Sequence, residues 1–106
     1  MTHKMFFAML DDNHVPMFTE DISVWTAWMA DWSTKAVVAH DDLGNGVHVS
    51  TVFLAFACHD DNNPVPRFET MVFGGKYHHA NRHYKTWDEA KAGHEAAVRW
   101  LKGVGE

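Results

Sequence analysis

The chain has a single cysteine, Cys58, among its 106 residues, so no disulfide can form within it. Disulfides are typical of secreted proteins, and a chain without one suits a reducing compartment such as the cytosol. The N-terminal run MTHKMFFAML has one lysine before six apolar residues, which is shorter than the core of a secretory signal and far shorter than a membrane span. We therefore expect a cytoplasmic protein with no membrane partner.

Charge of either sign is sparse and dispersed. The nine Lys and Arg are outnumbered by 14 Asp and Glu, which gives a net charge of −5, and the cations do not form the stripe that attracts a phosphate backbone. Direct binding to nucleic acid is therefore not expected. The densest carboxylate pairs, Asp41-Asp42 and Asp60-Asp61, are too short for an acidic mimic of nucleic acid, and we predict that they lie in turns.

Motifs of known catalytic, nucleotide and metal sites are also missing. The sequence has no H-E-x-x-H, C-x-x-C, G-x-G-x-x-G or Walker pattern. Cys58 and His59 are adjacent, but neighbours on a strand point to opposite faces, so they are not expected to act as nucleophile and base. The sequence thus predicts no catalytic residue and no cofactor.

Apolar and aromatic residues are plentiful, at 46% and 13% of the chain, and they predict one folded domain over residues 1–106. Alternation over residues 5–10 predicts a strand that turns back into a short edge strand containing Pro16. Thr19 or Asp21 can cap a helix that follows. This helix is predicted to reach about Trp32 and to bury one stripe, formed by Ile22, Trp25, Trp28, Met29 and Trp32.

The middle of the chain has the pattern of a β-hairpin followed by another strand. Residues 36–40 and 47–57 flank Asn45-Gly46, the pair best able to adopt the positive φ angles of a tight hairpin turn. Residues 67–73 are rich in β-branched and aromatic side chains and predict a further strand, with a short one possible at 82–85.

The C-terminal segment predicts an amphipathic helix over about 87–102. Thr86 and Glu89 are spaced as a capping box, and Gly103 can supply a left-handed cap at the end. His94 falls on the inner stripe, where we expect a hydrogen-bonded core imidazole rather than a catalytic acid or base. The predicted fold is α+β, an antiparallel sheet of about four to six strands with two helices in the order β-β-α-β-β-β-(β)-α.

Histidines concentrate between residues 76 and 85, where the sequence is least predictable. Imidazoles favour zinc and other divalent transition metals, and an acidic and thiol-bearing loop precedes this segment in the chain. The glycines before the segment disfavour the helix that would align two ligands four residues apart. The candidate ligands of such a metal are His78, His79, His83 and His59.

Three blocks of sequence carry a resemblance to known proteins. V-S-T-V-F-L at 49–54, F-E-T-M-V-F-G-G at 68–75 and T-W-D-E-A at 86–90 with Gly93-His94 resemble small tailed-phage and prophage proteins, over roughly residues 36–98. In those proteins an Asp-His pair follows the first block, whereas this chain has Ala57-Cys58-His59-Asp60, so no role of that pair is carried over. The resemblance implies expression in the cytoplasm of an infected or lysogenic bacterium, and it supplies no established catalytic activity that could be carried over to this chain.

Three hypotheses of function follow. The first is a noncatalytic phage accessory protein that binds a host or phage macromolecule, with inhibition of a host defence complex as one form. The second is a small His-rich metal- or ligand-binding protein or enzyme, and the third a homodimer or larger structural module that buries Trp32 or Trp100 between subunits. For the first hypothesis the candidate contact residues are Trp32, Asp60, Asp61, Tyr77 and Arg82.

Elemental analysis separates the second hypothesis from the other two. We expect untagged protein purified without chelator to carry far less than one transition metal ion per chain, because the histidines are not spaced as a known metal motif. Stoichiometric zinc that is lost when His79 and His83 are replaced together by Ala would contradict this expectation.

Overall fold

The structure is a computed structural model that describes residues 4–59 and 65–104. The strands of this part form two antiparallel sheets, with the orders β2-β1-β5 and β3-β4-β6-β7. The predicted α+β class and element order are confirmed, with β5 and the short helix α2 as additions. In chain order the elements are β1 (Met5–Leu10), β2 (Pro16–Thr19), α1 (Ile22–Ala30), α2 (Trp32–Lys35), β3 (Val37–Gly44), β4 (Val47–Phe53), β5 (Ala57–His59), β6 (Phe68–Phe73), β7 (Asn81–Tyr84) and α3 (Trp87–Gly103).

The long strand predicted over 47–57 is two strands that belong to different sheets. The amide of Leu54 still donates to the carbonyl of Arg67 (3.0 Å), whereas the carbonyl of Phe56 already accepts from the amide of Ala8 (2.8 Å) on β1. The chain therefore crosses from one sheet to the other over residues 54–56, as strands do at the corners of packed sheets. The sequence pattern does not reveal this break, because the residues on both faces of the predicted strand remain apolar across it.

The β3–β4 hairpin turns where the sequence predicts, but its first strand is longer. Asn45 and Gly46 have φ angles of 54° and 76°, so the turn is confirmed. Asp41 and Asp42, predicted to lie in a turn, instead belong to β3, where they pair with Val49 and His48. A tight turn at 45–46 leaves both aspartates within the ladder, and this places Asp41 beside the helix that covers the sheet.

Helix α1 ends two residues before the predicted boundary, and Asp31 separates it from α2. Asp21 caps α1: the hydroxyl of Ser23 and the amides of Ser23 and Val24 donate to it and lower the pKa of its carboxyl. The stabilising effect of the cap is complete above the ordinary pKa of 3.8 and is lost as the pH falls through the lower folded pKa.

The buried stripe predicted for the first helix is wrong for its first residue, Ile22, and correct for its tryptophans, which are buried or half-buried. Ile22 is 59% exposed because it precedes the part of α1 that packs on β1. Trp28 is buried, and Trp25 is half-buried with its indole N–H donating to the carbonyl of Ala8 (2.9 Å). The indole bond fixes α1 against the three-stranded sheet at this point.

The C-terminal helix begins as predicted and ends differently. The Thr86 hydroxyl accepts from the amide of Glu89 (3.1 Å) and lies 3.0 Å from its carboxylate, which completes a variant of the capping box. Gly103 is the last helical residue and does not adopt a positive φ angle, so the predicted left-handed cap is wrong. Val104 closes the last turn through an ordinary bond from its amide to the carbonyl of Trp100 (3.1 Å).

Two apolar clusters hold the layers together. The first lies between the two sheets and α1 and includes Trp28, Phe53 and Phe68. The second lies under the C-terminal half of α3, where Leu101 packs on valines of β4 and β6. Helix α3 thus covers one face of the four-stranded sheet. Among the described residues, none of the helices combines the length and apolar character needed to cross a bilayer.

Gly44 and Gly74 have nearly the same φ angle, so replacing each by alanine distinguishes the cost of backbone strain from the cost of steric overlap. Gly44 (φ 85°) faces open space, whereas a Cβ on Gly74 (φ 83°) would overlap the backbone carbonyl of Gly46. We expect Gly44→Ala to lower the free energy of unfolding by about 1 kcal/mol, the cost of a left-handed alanine. Gly74→Ala should cost about 3 kcal/mol or more, since the hairpin backbone must also move. Equal losses in urea unfolding would contradict this assignment.

Candidate functional site

A cavity of about 490 Å³ opens between α3 and the β6–β7 side of the four-stranded sheet. Thr70 and Val72 of β6 are buried and form its floor. The rim carries three aromatic side chains, Tyr77, Tyr84 and Trp100, together with polar Asn81 and basic Arg82, all of them half-buried or exposed. A volume of this size lies within the range of sites that bind small molecules or partner side chains, roughly 300–1,000 Å³.

Small residues on α3 create this space. Gly93, Ala96 and Ala97 face the cavity and fill little of it. A Cβ on Gly93 would overlap the ring of Tyr84, so the absence of a side chain lets that ring pack directly against the helix. The group that approaches the helix at this glycine is therefore the tyrosine of β7.

The segment between β6 and β7 positions the aromatic part of the rim. His79 donates its amide to the carbonyl of Val72 (2.7 Å), and His78 accepts the amide of Gly74 at Nδ1 (2.7 Å). This turn sets Tyr77 edge-on against Trp100, with ring centroids 4.7 Å apart. Trp100 nevertheless remains 52% exposed, so a large apolar surface lies open at the mouth of the cavity.

A chain of hydrogen bonds runs through the interior to the cavity floor. His94 is only 1% exposed, and its Nδ1 lies 2.8 Å from the hydroxyl of Thr51 while its Nε2 lies 2.7 Å from a carboxylate oxygen of Asp41. Thr51 and Thr70 are cross-strand partners of β4 and β6, and their hydroxyls lie 2.5 Å apart. The expectation of a hydrogen-bonded core imidazole is therefore confirmed, and the bonds connect Asp41 with Thr70.

Charge in the cavity has one sign. Of the described side chains that line it, Arg82 alone carries a charge. The chain as a whole has a net charge of −5, so the positive charge at this cavity contrasts with the acidic balance of the chain. An acidic group bound at the mouth would meet this guanidinium, which recognises carboxylates through paired hydrogen bonds.

Two of the predicted contact residues come together at this cavity. Tyr77 and Arg82 both line it, although they lie five positions apart, with Tyr77 in the turn before β7 and Arg82 within β7. Trp32 lies elsewhere, half-buried on α2 and packed against the first apolar cluster. Asp60 and Asp61 fall outside the described residues.

The three predicted metal ligands whose side chains are described, His78, His79 and His83, do not form one group. His78 and His79 are neighbours with ring centroids 3.6 Å apart, whereas His83 pairs with Glu69 (2.9 Å) on the adjacent strand. His59 belongs to β5, and its side chain is not described. Within residues 4–59 and 65–104, no group of three or more His, Cys, Asp and Glu could hold a metal ion. A zinc or other transition metal site stays a prediction.

Sequence reasoning missed Thr51, Thr70 and Trp100 as parts of one site. Thr70 carried a visible signal, since it interrupts an otherwise apolar strand, but nothing in the sequence indicates that it meets Thr51. Trp100 lies off the main apolar stripe of α3, and its role depends on the turn that brings Tyr77 to it.

Comparison with protein-family models, with curated proteins and with solved structures found no match to this chain. The site therefore has to be interpreted from its own geometry.

The buried hydroxyl of Thr51 should contribute to stability in a way that an exposed threonine does not. Thr51→Val keeps the shape but leaves the Nδ1 of buried His94 and the hydroxyl of Thr70 without their shared partner, so we expect a loss of about 1–3 kcal/mol in the free energy of unfolding. Thr26→Val is the matched control, because that hydroxyl is exposed and bonds only within α1; it should cost at most about 0.5 kcal/mol. Urea unfolding measures both, and equal values would contradict the assignment.

Proposed function

We propose that this protein is a noncatalytic binding protein and that the cavity between α3 and β7 receives a side chain of a partner protein. The observation that carries this proposal is the combination at one opening of an exposed Trp100, an exposed Arg82 and Tyr77. Tryptophan, arginine and tyrosine are the residue types that most often dominate the energy of protein interfaces. The apolar depth behind them offers a place for an anchoring side chain.

The same geometry argues against an enzyme built on the polar chain. Asp41, His94 and Thr51 follow the order of a carboxylate, an imidazole and a hydroxyl, as in a hydrolytic triad. The hydroxyl of Thr51, however, is fully buried and already bonded to both Thr70 and His94. A nucleophile must reach its substrate, and this one has no exposed surface. This series of hydrogen bonds is better explained as part of the scaffold that holds α3 on the sheet.

The resemblance of the sequence to phage and prophage proteins supports a setting for the partner. We propose a host or phage protein in the bacterial cytoplasm, with inhibition of a host defence complex as one form of the activity. A cavity of this size can hold one or two side chains, whereas a stable interface buries roughly 1,200–2,000 Å². The partner is therefore expected to contact β7 and the side of α3 that borders the cavity as well, but not the outer face of α3.

The proposal predicts a partner that depends on the rim of the cavity. Protein carrying a photo-crosslinking amino acid in place of Tyr77 should capture a specific protein in infected or lysogenic bacteria, and protein carrying it in place of exposed Lys91 should not. With the captured protein purified, Trp100→Ala should weaken binding by about 2 kcal/mol or more, roughly 30-fold, because the mouth of the cavity then loses the aromatic surface that the partner packs against. Binding is measured by calorimetry.

Controls separate loss of contact from loss of fold. Arg82→Glu should also weaken binding, whereas Arg99→Glu, an equal change of charge on the exposed face of α3, should not. Urea unfolding establishes that each variant is folded. A partner whose affinity is unaffected by both the Trp100 and Arg82 substitutions would refute the proposed site, and capture of a second copy of the chain would favour the homodimer instead.

A further inference from the structure

Strand β7 lies at one edge of the four-stranded sheet and directs backbone groups away from it. The amide of Val72 on β6 donates to the carbonyl of Ala80 (2.9 Å), so every second residue of β6 bonds toward β7. Arg82 pairs with one of these residues and points its own N–H and C=O inward. Asn81 and His83 alternate with Arg82 and point theirs outward, and no other described strand pairs with this edge.

The two edges of this sheet differ in how readily they could accept another strand. The opposite edge, β3, has register irregularities at both ends and carries Asp41 and Asp42, and bulges and charges of this kind protect sheet edges. The register of β7 with β6 is continuous from Asn81 to Tyr84, and β7 contains no proline. β7 is therefore the edge of this sheet that is better suited to pairing with an extended segment of a partner.

The cavity lies along this same edge. Arg82 and Tyr84 line it from β7, and α3 forms the opposite wall. Tyr84 packs against Gly93 at one end, and Tyr77 packs against Trp100 at the other. Since alternate residues of a strand share a face, every second side chain of a strand added to β7 would lie on the cavity side of the sheet.

The charge of the edge favours an acidic segment. Residues 76–85 contain three Lys and Arg and no Asp or Glu, in a chain whose net charge is −5. Arg82 forms no hydrogen bond or ion pair with another described residue. Glu69 on the neighbouring strand contacts His83 (2.9 Å), which alternates with Arg82 and so lies on the other face of the sheet. A carboxylate directly opposite Arg82 on an added strand would supply the complementary charge.

We infer that the partner adds an extended segment to β7 as an antiparallel strand, with an acidic residue opposite Arg82 and an apolar residue two positions later beside Tyr77 and Trp100. Antiparallel addition continues the pairing of the whole sheet and gives the more stable ladder. In this direction the segment runs from Tyr84 toward Ala80, so the acidic residue comes first. This inference rests on the proposed function and specifies how the partner is bound.

Peptides with matched N-methyl groups test the added strand. The probe is acetylated, amidated Ser-Thr-Glu-Thr-Trp-Thr-Ser, and NMR shifts of the Gly93 and Ala96 amides report its binding. Methylating the amides of the two threonines that flank Glu removes the donors that point toward β7. Methylating Glu and Trp instead removes amides that point away. We expect the first change to weaken binding at least about tenfold relative to the second, because it removes bonds to the edge.

Further peptides test the charge and the order of the two side chains. Gln in place of Glu should weaken binding to the native protein about fivefold, because a charge-assisted contact is lost. The difference between the Glu and Gln peptides should vanish in Arg82→Gln and persist in Arg99→Gln, an equal loss of charge at another exposed position of the protein. A peptide with Glu and Trp exchanged has the same composition and should bind about fivefold more weakly, since its side chains no longer match the edge.

A proline variant applies the same test to the captured partner. His83→Pro removes an outward amide, which an edge strand tolerates, whereas His83→Ala removes only the imidazole. The proline variant should bind the partner about tenfold more weakly than the alanine variant, and urea unfolding checks that both are folded. Because proline can itself disturb β7, hydrogen exchange of the native protein gives a second measurement: the amides of Asn81 and His83 should become protected when the probe binds.

The outcomes separate this inference from the proposed function. Equal or reversed affinities of the two N-methylated peptides, no binding of the probe, or unchanged exchange of the Asn81 and His83 amides would each overturn the inference. A partner that is weakened by Trp100→Ala but binds the folded proline and alanine variants equally would overturn it while leaving the proposed function intact. Loss of rim dependence in the capture experiment would refute the function itself.

Discussion

The imidazole of His94 holds α3 to the four-stranded sheet, and much of the structure depends on this contact. It bonds Asp41 on β3 and Thr51 on β4, and Thr51 continues to Thr70 on β6, so one buried side chain links a helix to three strands. Apolar packing alone would allow α3 to slide or rotate on the sheet at modest cost. A buried imidazole permits far less freedom, because any shift that broke its bonds would leave polar atoms unpaired.

The cavity follows from the same placement of the helix. With His94 fixed above β4, the small residues Gly93, Ala96 and Ala97 face the β6–β7 side and leave a space that the sheet does not fill. The polar chain ends on the floor of this space, and Tyr77 and Trp100 stand at its mouth. Scaffold and site are therefore parts of one arrangement, because the bonds that align the helix end at a residue of the cavity floor.

Local patterns were sufficient for most individual elements. The asparagine-glycine turn, the Thr86 cap and the alternation of Val47, Val49, Thr51 and Phe53 each act within a few residues, and the structure bears all of them out. The errors arise where tertiary contacts override local preference. The strand over 47–57 divides because a second sheet competes for its end, and Gly103 stays helical because the final turn closes through Val104.

The sequence by itself determined the α+β class, the element order and the burial of His94. It also places Tyr77 and Arg82 close together along the chain. These follow from periodicity, caps and turns, which are short-range properties of the chain. Only the tertiary structure decided that Asp41, 53 residues before His94, is its partner, and that Trp100 joins Tyr77 across the cavity. Such pairs depend on how the sheets and the helix pack. The local sequence around two distant residues does not indicate that they will be in contact.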